Sequence, residues 1–325
     1  MRIEDTMSKD LGITEDVIKS AILVARRDVK KFGIKKRNGG IRDIFHPSKK
    51  LKVIQYWLIY NVFSKIPVHA AAAAYRPGLS ILDNAKNHAA NRFFLKLDLK
   101  DFFPSIKYAD FIGILERWHK QEAPGWELDA RAKEIIRLSC FYKNDTLPIG
   151  FPSSPVISNI VMNDFDIHIT KLIVSSGKYG KCVYTRYADD LVFSTNTKGA
   201  CGGIFKEVSE AISSMSSPRL ALNPSKTKIG SSSGGSALVT GLKVCEDGHV
   251  TIHRKQKDHV RLMLSLYCKG SLRDEDKRSL LGHLAYCRHV DPGFYSSLLR
   301  KYFKEVDRLK RDILSSTPSA ETSDI

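Results

Sequence analysis

The sequence predicts an α+β fold built around an antiparallel sheet, and three stretches carry that reading. Val183-Tyr184-Thr185-Arg186-Tyr187 and Leu191-Val192-Phe193-Ser194 are rich in aromatic and β-branched residues. They flank Ala188-Asp189-Asp190, the pattern of a hairpin with a tight acidic turn. Arg92 to Leu97 reads as a strongly apolar strand that carries Asp98 near its end. From residue 255 the chain turns helical and basic, in runs from Lys255 to Cys268, Asp274 to Arg288 and Pro292 to Leu314.

An Asp-Asp pair alone fits a polar hairpin turn. Two adjacent carboxylates repel unless a cation lies between them, and a divalent ion is the usual one. An acid inside an apolar run such as Asp98 is costly unless it is paired or metal-bound. Three carboxylates converging at the ends of neighbouring strands make a two-cation site suited to phosphoryl transfer. One ion activates an attacking hydroxyl and the other stabilises the leaving pyrophosphate.

In chain order, residues 1–31 read as an amphipathic helical lead, with Val17, Ile18, Ala21, Ile22 and Val24-Ala25 near helical spacing. Residues 35–44 read as a hairpin turning at Asn38-Gly39-Gly40. Its cations suit a triphosphate and equally a solvated basic loop. Leu51 to Ile66 reads as a helix with a stripe at 51, 54, 58, 62 and 66, where Gln55 and Tyr56 either pack or face a template. The small-residue run Ala70 to Ala74 permits close backbone approach, including to nucleic acid. Asn84 and His88, four apart, share a helix face.

Residues 108–143 read as two helices broken at Pro124-Gly125, and Leu147 to Pro155 as a loop feeding a long helix from Val156 to Val174. Helix starts of this kind offer free backbone donors to phosphate. A helix over 203–215 precedes Leu220 to Lys228. Ser231 to Ser236 reads as a flexible linker, and Val239-Thr240-Gly241 as the start of a hairpin turning at Asp247-Gly248.

Composition agrees with a polyanionic partner. Lysine and arginine total 52 against 35 acids, a net charge of +17. The six cysteines lack CxxC spacing, so neither a zinc site nor a disulfide framework is legible. Asp5, Lys9 and Asp10 interrupt the N-terminus before an apolar run develops, and no run is long enough to span a membrane. A reduced cytoplasmic protein with no membrane partner is expected.

Tyr187-Ala188-Asp189-Asp190 resembles the catalytic box of reverse transcriptases. Leu97-Asp98-Leu99-Lys100-Asp101-Phe102-Phe103-Pro104-Ser105-Ile106 resembles the box that carries their first metal ligand. Asn84-Ala85-Lys86-Asn87-His88 resembles the Asn-Ala-x-x-His element of the bacterial retron branch, and Val239-Thr240-Gly241 its Val-Thr-Gly element. The ordered boxes run from about Arg42 to about Val244.

This resemblance implies a right-hand polymerase. It assigns 1–31 to an N-terminal helical extension, 32–91 to fingers, 92–250 to an antiparallel-sheet palm with finger elements near 145–175, 251–314 to a helical thumb and 315–325 to a disordered tail. In the thumb, Lys257, Arg261, Lys269, Arg300 and Lys301 are expected to clamp a duplex. The resemblance also implies that Asp98, Asp189 and Asp190 hold two Mg²⁺ ions. Arg42, with Lys36, would touch the incoming nucleotide, and Phe103 would crowd its 2′ position and so favour deoxynucleotides. Gly150 would act through its backbone. Lys226, rather than Lys228, would stand near the triphosphate as the acid for departing pyrophosphate, unless it is an ordinary strand-edge lysine. Asn84, His88, Val239, Thr240 and Gly241 would hold structured RNA or the DNA product. Leu147 to Pro155 resembles the family box Pro-Gln-Gly-x-Pro-x-Ser-Pro, but Ile149 stands where glutamine is expected and removes that side-chain hydrogen bond.

The implied activity is that of a nucleotidyltransferase acting on deoxynucleoside triphosphates. Its template would be its own structured non-coding RNA, primed from an internal 2′-hydroxyl to give branched RNA–DNA (msDNA). The implied setting is antiphage defence with an effector protein encoded nearby. Two alternatives stand beside it: a group II intron-like or other bacterial reverse transcriptase with 3′-hydroxyl priming, and a catalytically silent RNA-binding scaffold. The short chain, without a maturase or endonuclease domain, argues against the intron type.

Overall fold

A computed structural model describes residues 1–25, 27–35, 39–235 and 237–315. Helices α1 (Ile3–Leu11) and α2 (Glu15–Ala25) lead into a hairpin of β1 (Lys30–Lys35) and β2 (Ile41–His46), then α3 (Lys49–Asn61) and α4 (Ile81–Asn87). Strand β3 (Phe93–Asp98) follows, then α5 (Phe102–Ser105), α6 (Tyr108–Glu122), α7 (Ala130–Cys140), α8 (Ser153–Val161) and α9 (Asn163–Ile169). Next come β4 (Val183–Tyr187), β5 (Asp190–Thr195), α10 (Ala200–Ser214) and β6 (Lys228–Ser231). The chain closes with β7 (Leu238–Val239), β8 (Leu242–Val244), β9 (Val250–Ile252), α11 (Arg254–Cys268), α12 (Asp274–Val290) and α13 (Pro292–Ser315). The fold is α+β with antiparallel sheets, as expected.

The chain divides into two compact units, Met1–Ser80 with Phe93–Ile229, and Ile81–Arg92 with Gly230–Ile325. The first is built on a sheet in the order β4-β5-β3-β6. Leu95, Leu97, Leu191 and Phe193 point from this sheet into one buried core with Phe111, Leu115, Ile135, Ile160, Phe165 and Ile204 from the surrounding helices. The hairpin β1–β2 pairs Lys35 with Ile41 as expected, while Lys36 and Asn38 lie outside the described residues.

The stripe at 51, 54, 58, 62 and 66 is buried throughout, but its helix ends at Asn61, and Val62 and Ile66 flank a 3₁₀ turn over Phe63–Lys65. The expected helix over 156–174 begins earlier, at Ser153. It breaks at Met162, where ψ is 0°, and finishes in a wider π turn over Thr170–Val174. Gln55 is buried, donating from Nε2 to the Ser139 carbonyl at 2.6 Å, and so does not face a template. Ala70 to Ala74 does make a close backbone approach, but to β4. Ala72 bridges Arg186 in parallel, the Arg186 N–H donates to Ala71 at 2.7 Å and the Ala73 N–H to Arg186 at 2.8 Å.

The second unit carries the three-stranded sheet β7-β8-β9, with α4 against it, and the bundle α11–α13. Val260, Leu264, Leu280, Leu284, Val306 and Leu309 form the bundle's buried seam. Of Ser231 to Ser236, expected to be a flexible linker, Ser236 lies outside the described residues and the first two residues are anchored. Ser231 ends β6, and the buried Ser232 donates its N–H to the Arg92 carbonyl at 2.9 Å. Lys257 does not face outward to clamp a duplex: its ammonium lies 2.7 Å from Asp291 and over the Phe294 ring. The expected tail over 316–325 lies outside the described residues.

Candidate active site

The strand registers assemble the acids. Antiparallel β3 and β5 place Asp98 opposite Asp190, and β4 and β5 place Tyr187 opposite Asp190. The turn is therefore only Ala188-Asp189, and Ala188 takes a left-handed φ of 57° to make it. The Leu99 N–H donates to the Asp189 carbonyl at 2.9 Å, which ties the turn to the chain leaving Asp98.

The segment after α10 is laid along that chain. Leu222 bridges Leu99, Lys100 donates to Ala221 at 2.8 Å and Asn223 donates to the Asp98 carbonyl at 2.8 Å. Asn223 Nδ2 then reaches one Asp98 oxygen at 3.2 Å and the Lys226 ammonium the other at 2.8 Å. Lys226 is thus in the site and is not an ordinary strand-edge lysine. Its hydrogen bond to Asp98 holds the ammonium above the usual lysine range, with Asp189 and Asp190 adding to the pull.

Lys96, which the sequence reading passed over, places its ammonium 2.7 Å from Asp190 Oδ2. Its signal was legible: Lys96 and Asp98 are two apart on a strand and share a face. Lys96 and Asp190 are then diagonal neighbours across the β3–β5 ladder. Burial, then the Asp190 charge, hold the Asp189 carboxyl above the usual range, while its own backbone hydrogen bonding opposes this.

This donor set fits divalent cations. All three groups are hard carboxylate oxygens, and Asp98 and Asp190 already draw one ammonium each. The ammoniums stand where positive charge is wanted. Among the described residues, the only three Cys, His or acid side chains whose ligand atoms all lie within 4.8 Å of one another are Cys245, Asp247 and His249, on the β8–β9 turn of the second unit.

Around the acids, Phe103 is half-buried on α5, its ring 5.4 Å from that of Phe102, which is core. Asp101 ends the preceding loop in a left-handed conformation, φ 46°, and its carbonyl accepts from Ser105. It is the residue that starts α5, without a side-chain cap bond. Arg42 is exposed on β2 opposite Ile34. Gly150 has φ 108°, and a Cβ there would lie 2.5 Å from the Phe45 carbonyl. Only glycine fits, because the Phe45 N–H pairs with the Ile149 carbonyl at 2.8 Å. The 149–150 loop is therefore bonded to the strand that carries Arg42.

Behind the acids lies a buried polar hub. Arg186 is fully buried, holding Asp166 through Nε and Nη2 at 2.7–3.1 Å and donating from Nη1 to Asn159 Oδ1 at 3.1 Å and to the Ala188 carbonyl at 3.4 Å. The Tyr184 hydroxyl also donates to Asp166, at 2.7 Å.

The remaining expected residues gather in the second unit. Asn84 and His88 are buried where α4 packs on the three-stranded sheet, and burial lowers the His88 imidazole to about 4, so it is neutral. Val239 is buried. Thr240 and Gly241 form the β7–β8 turn at φ 47° and 84°, with the Thr240 hydroxyl donating to the Ile81 carbonyl at 3.1 Å. Two motifs about 150 residues apart in sequence thus share one packed body, with Asn84, His88 and Val239 inside it rather than displayed on its surface.

Residues 34–283 match the family model described as reverse transcriptase (RNA-dependent DNA polymerase). The chain is 47% identical over 292 residues to the retron Ec73 reverse transcriptase of Escherichia coli, covering 88% of this chain and 91% of the relative. It is 32% identical over 307 residues to the retron Ec83 reverse transcriptase of the same organism, covering 92% and 94%. Among solved structures, apo telomerase from Candida tropicalis superposes with a TM-score of 0.52 at 12% identity, over 86% of this chain and 58% of that one. The chain spans less than two thirds of the telomerase, and this likeness is one of fold.

Proposed function

The chain belongs to the reverse transcriptase family, as an RNA-directed DNA polymerase of the retron type, and we propose that it copies its own structured non-coding RNA from an internal 2′-hydroxyl, leaving branched msDNA. The observation that carries the catalytic part of this reading is the register pairing Asp98 with Asp190 beside Asp189. In this reading the three acids hold two Mg²⁺ ions. Once bound, these supply a more acidic primer hydroxyl and neutralise the leaving pyrophosphate.

The other roles belong to the chain. Lys226 moves from Asp98 to the phosphates and protonates the pyrophosphate. Arg42 and the backbone at Gly150, joined through the Phe45–Ile149 bond, grip the nucleotide, and Phe103 rejects a 2′-hydroxyl. Asn84, His88, Val239, Thr240 and Gly241 shape the body that holds the RNA and its DNA product. The first unit supplies fingers and palm, and the bundle α11–α13 supplies the thumb. The net charge of +17 suits such a partner. We place the protein in the cytoplasm, serving antiphage defence with an effector protein.

The nucleic acid that copurifies with the protein from its native host tests the reading. It is treated with RNase, then with a debranching enzyme, and sequenced. Short single-stranded DNA joined to RNA through a 2′–5′ bond is expected. Unbranched DNA would replace the priming mode with 3′-hydroxyl priming, and bound RNA without DNA would replace the enzyme with a scaffold. Asp189→Ala with Asp190→Ala should lower synthesis at least about 10³-fold and leave RNA binding intact. Full activity in that variant would remove the metal assignment.

A further inference from the structure

Tyr75 has no role in the account above, yet it is built into the site. Its backbone is left-handed, φ 60°, which a bulky L-residue holds only where its surroundings fix it. Those surroundings are identifiable. Residues Ala71 and Ala73 pair with Arg186 of β4, and Asn159, itself held by Arg186, donates from Nδ2 to the Ala74 carbonyl at 2.8 Å. The hub that supports the acid turn through Ala188 therefore also supports Tyr75.

The ring that results stands between two others. Its centroid lies 6.4 Å from Phe103 and 6.5 Å from Tyr187, tilted by 54° and 37°. Burial first, then the Asp189 charge, raise its hydroxyl above the usual range while Arg42 opposes this, so the acid turn and the cation on β2 are both near enough to be felt. Tyr75 is still 45% exposed, so this wall is open to a ligand. Phe103 thus has two aromatic neighbours, Phe102 at 5.4 Å and Tyr75 at 6.4 Å.

We propose that Tyr75 is a positioning residue for sugar selection: its ring holds Phe103 against the 2′ position of the incoming nucleotide, and the strictness of deoxynucleotide choice depends on both rings together. This deepens the reading of Phe103 given above and rests on it. Removing the Tyr75 ring gives Phe103 room to turn away from the sugar, whereas removing only the hydroxyl leaves the wall standing.

The test is the ratio of dTTP to UTP use, as kcat/KM, on a poly(rA) template with an oligo(dT) primer. It is measured for the native protein, Tyr75→Ala, Tyr75→Phe, Phe103→Ala and the double alanine variant. Tyr75→Ala should lower the ratio about tenfold and Tyr75→Phe should restore it. The double variant should be no less selective than Phe103→Ala alone, because both act through one ring. An unchanged ratio in Tyr75→Ala, or additive losses in the double variant, overturns the proposal. If Phe103→Ala itself leaves the ratio unchanged, the Phe103 reading fails, and Tyr75 has no ring to act through. The Kd values of dTTP and UTP on a complex with a chain-terminated primer read the same selectivity without turnover. Equal dTTP-to-UTP preference in native protein and Tyr75→Ala there also overturns it.

Discussion

Two sets of ion pairs lie close together in the first unit and are built in opposite ways. The Asp166–Arg186 pair has both side chains at 0% exposure, with hydrogen bonds from Tyr184 and to Asn159 and Ala188 around it. At the acids, Lys226 is 46% exposed against Asp98, and Lys96 is 29% exposed against Asp190. The first pair is sealed and many-bonded, so neither partner can leave without stranding a charge. The second set has ammoniums on flexible stems in contact with water, free to exchange one anion for another. Permanent charge supports the hairpin from behind, while exchangeable charge occupies its working face.

Breaking the sealed pair should have the largest effect. Asp166→Ala leaves the Arg186 guanidinium buried without its carboxylate, and a loss of about 3–5 kcal/mol is expected in chemical denaturation. A loss under about 1 kcal/mol would mean that the hub is not what holds the β4–β5 hairpin.

Breaking an exchangeable pair should affect turnover more than folding. Lys226→Ala is expected to lower kcat about 10²-fold, with a stability change below about 1 kcal/mol because the pair is partly solvated. Asp98 and its neighbours hold the Lys226 proton to a pH above the ordinary lysine range. A kcat/KM profile limited by that proton in the free protein should fall only at strongly alkaline pH, and Lys226→Ala should lose that limb. Unchanged kcat would leave Lys226 as a structural partner of Asp98 alone.

The smallest effect sharpens the contrast by running the other way. The Asp189 carboxyl is held above its usual range in the folded chain. The folded state therefore holds its proton to higher pH than the unfolded state does, and stability declines as pH rises through that window. Above that window the penalty is fully present. Asp189→Asn should remove it, raising stability slightly while abolishing synthesis. A destabilised Asn variant would show that Asp189 also carries structural weight.

What the sequence determined by itself is local. Hairpin periodicity around an acidic turn, an acid ending an apolar strand and an aromatic after it are short-range patterns. They were enough for the antiparallel sheet, for Asp98, Asp189 and Asp190, and for the helices beyond residue 255. Lys96 was equally local, two residues from Asp98 on one strand face, and was overlooked rather than hidden.

Tertiary structure decided the rest, because the relevant partners are far apart in the chain. Ala70 to Ala74 reads as a place for close backbone approach, but the partner is Arg186 of β4, 112 to 116 residues later. Lys257 reads as a solvent cation until Asp291 arrives from the end of α12. Asn84 and His88 read as a displayed helix face until the β7–β9 sheet buries it. Arg186, three residues before Asp189, could be read as a counter-ion but not matched to Asp166, and Tyr75 had no legible role. What places each is the direction from which its neighbours approach: buried charge must find its counter-charge, and a left-handed tyrosine must be held by backbone that only the fold brings to it.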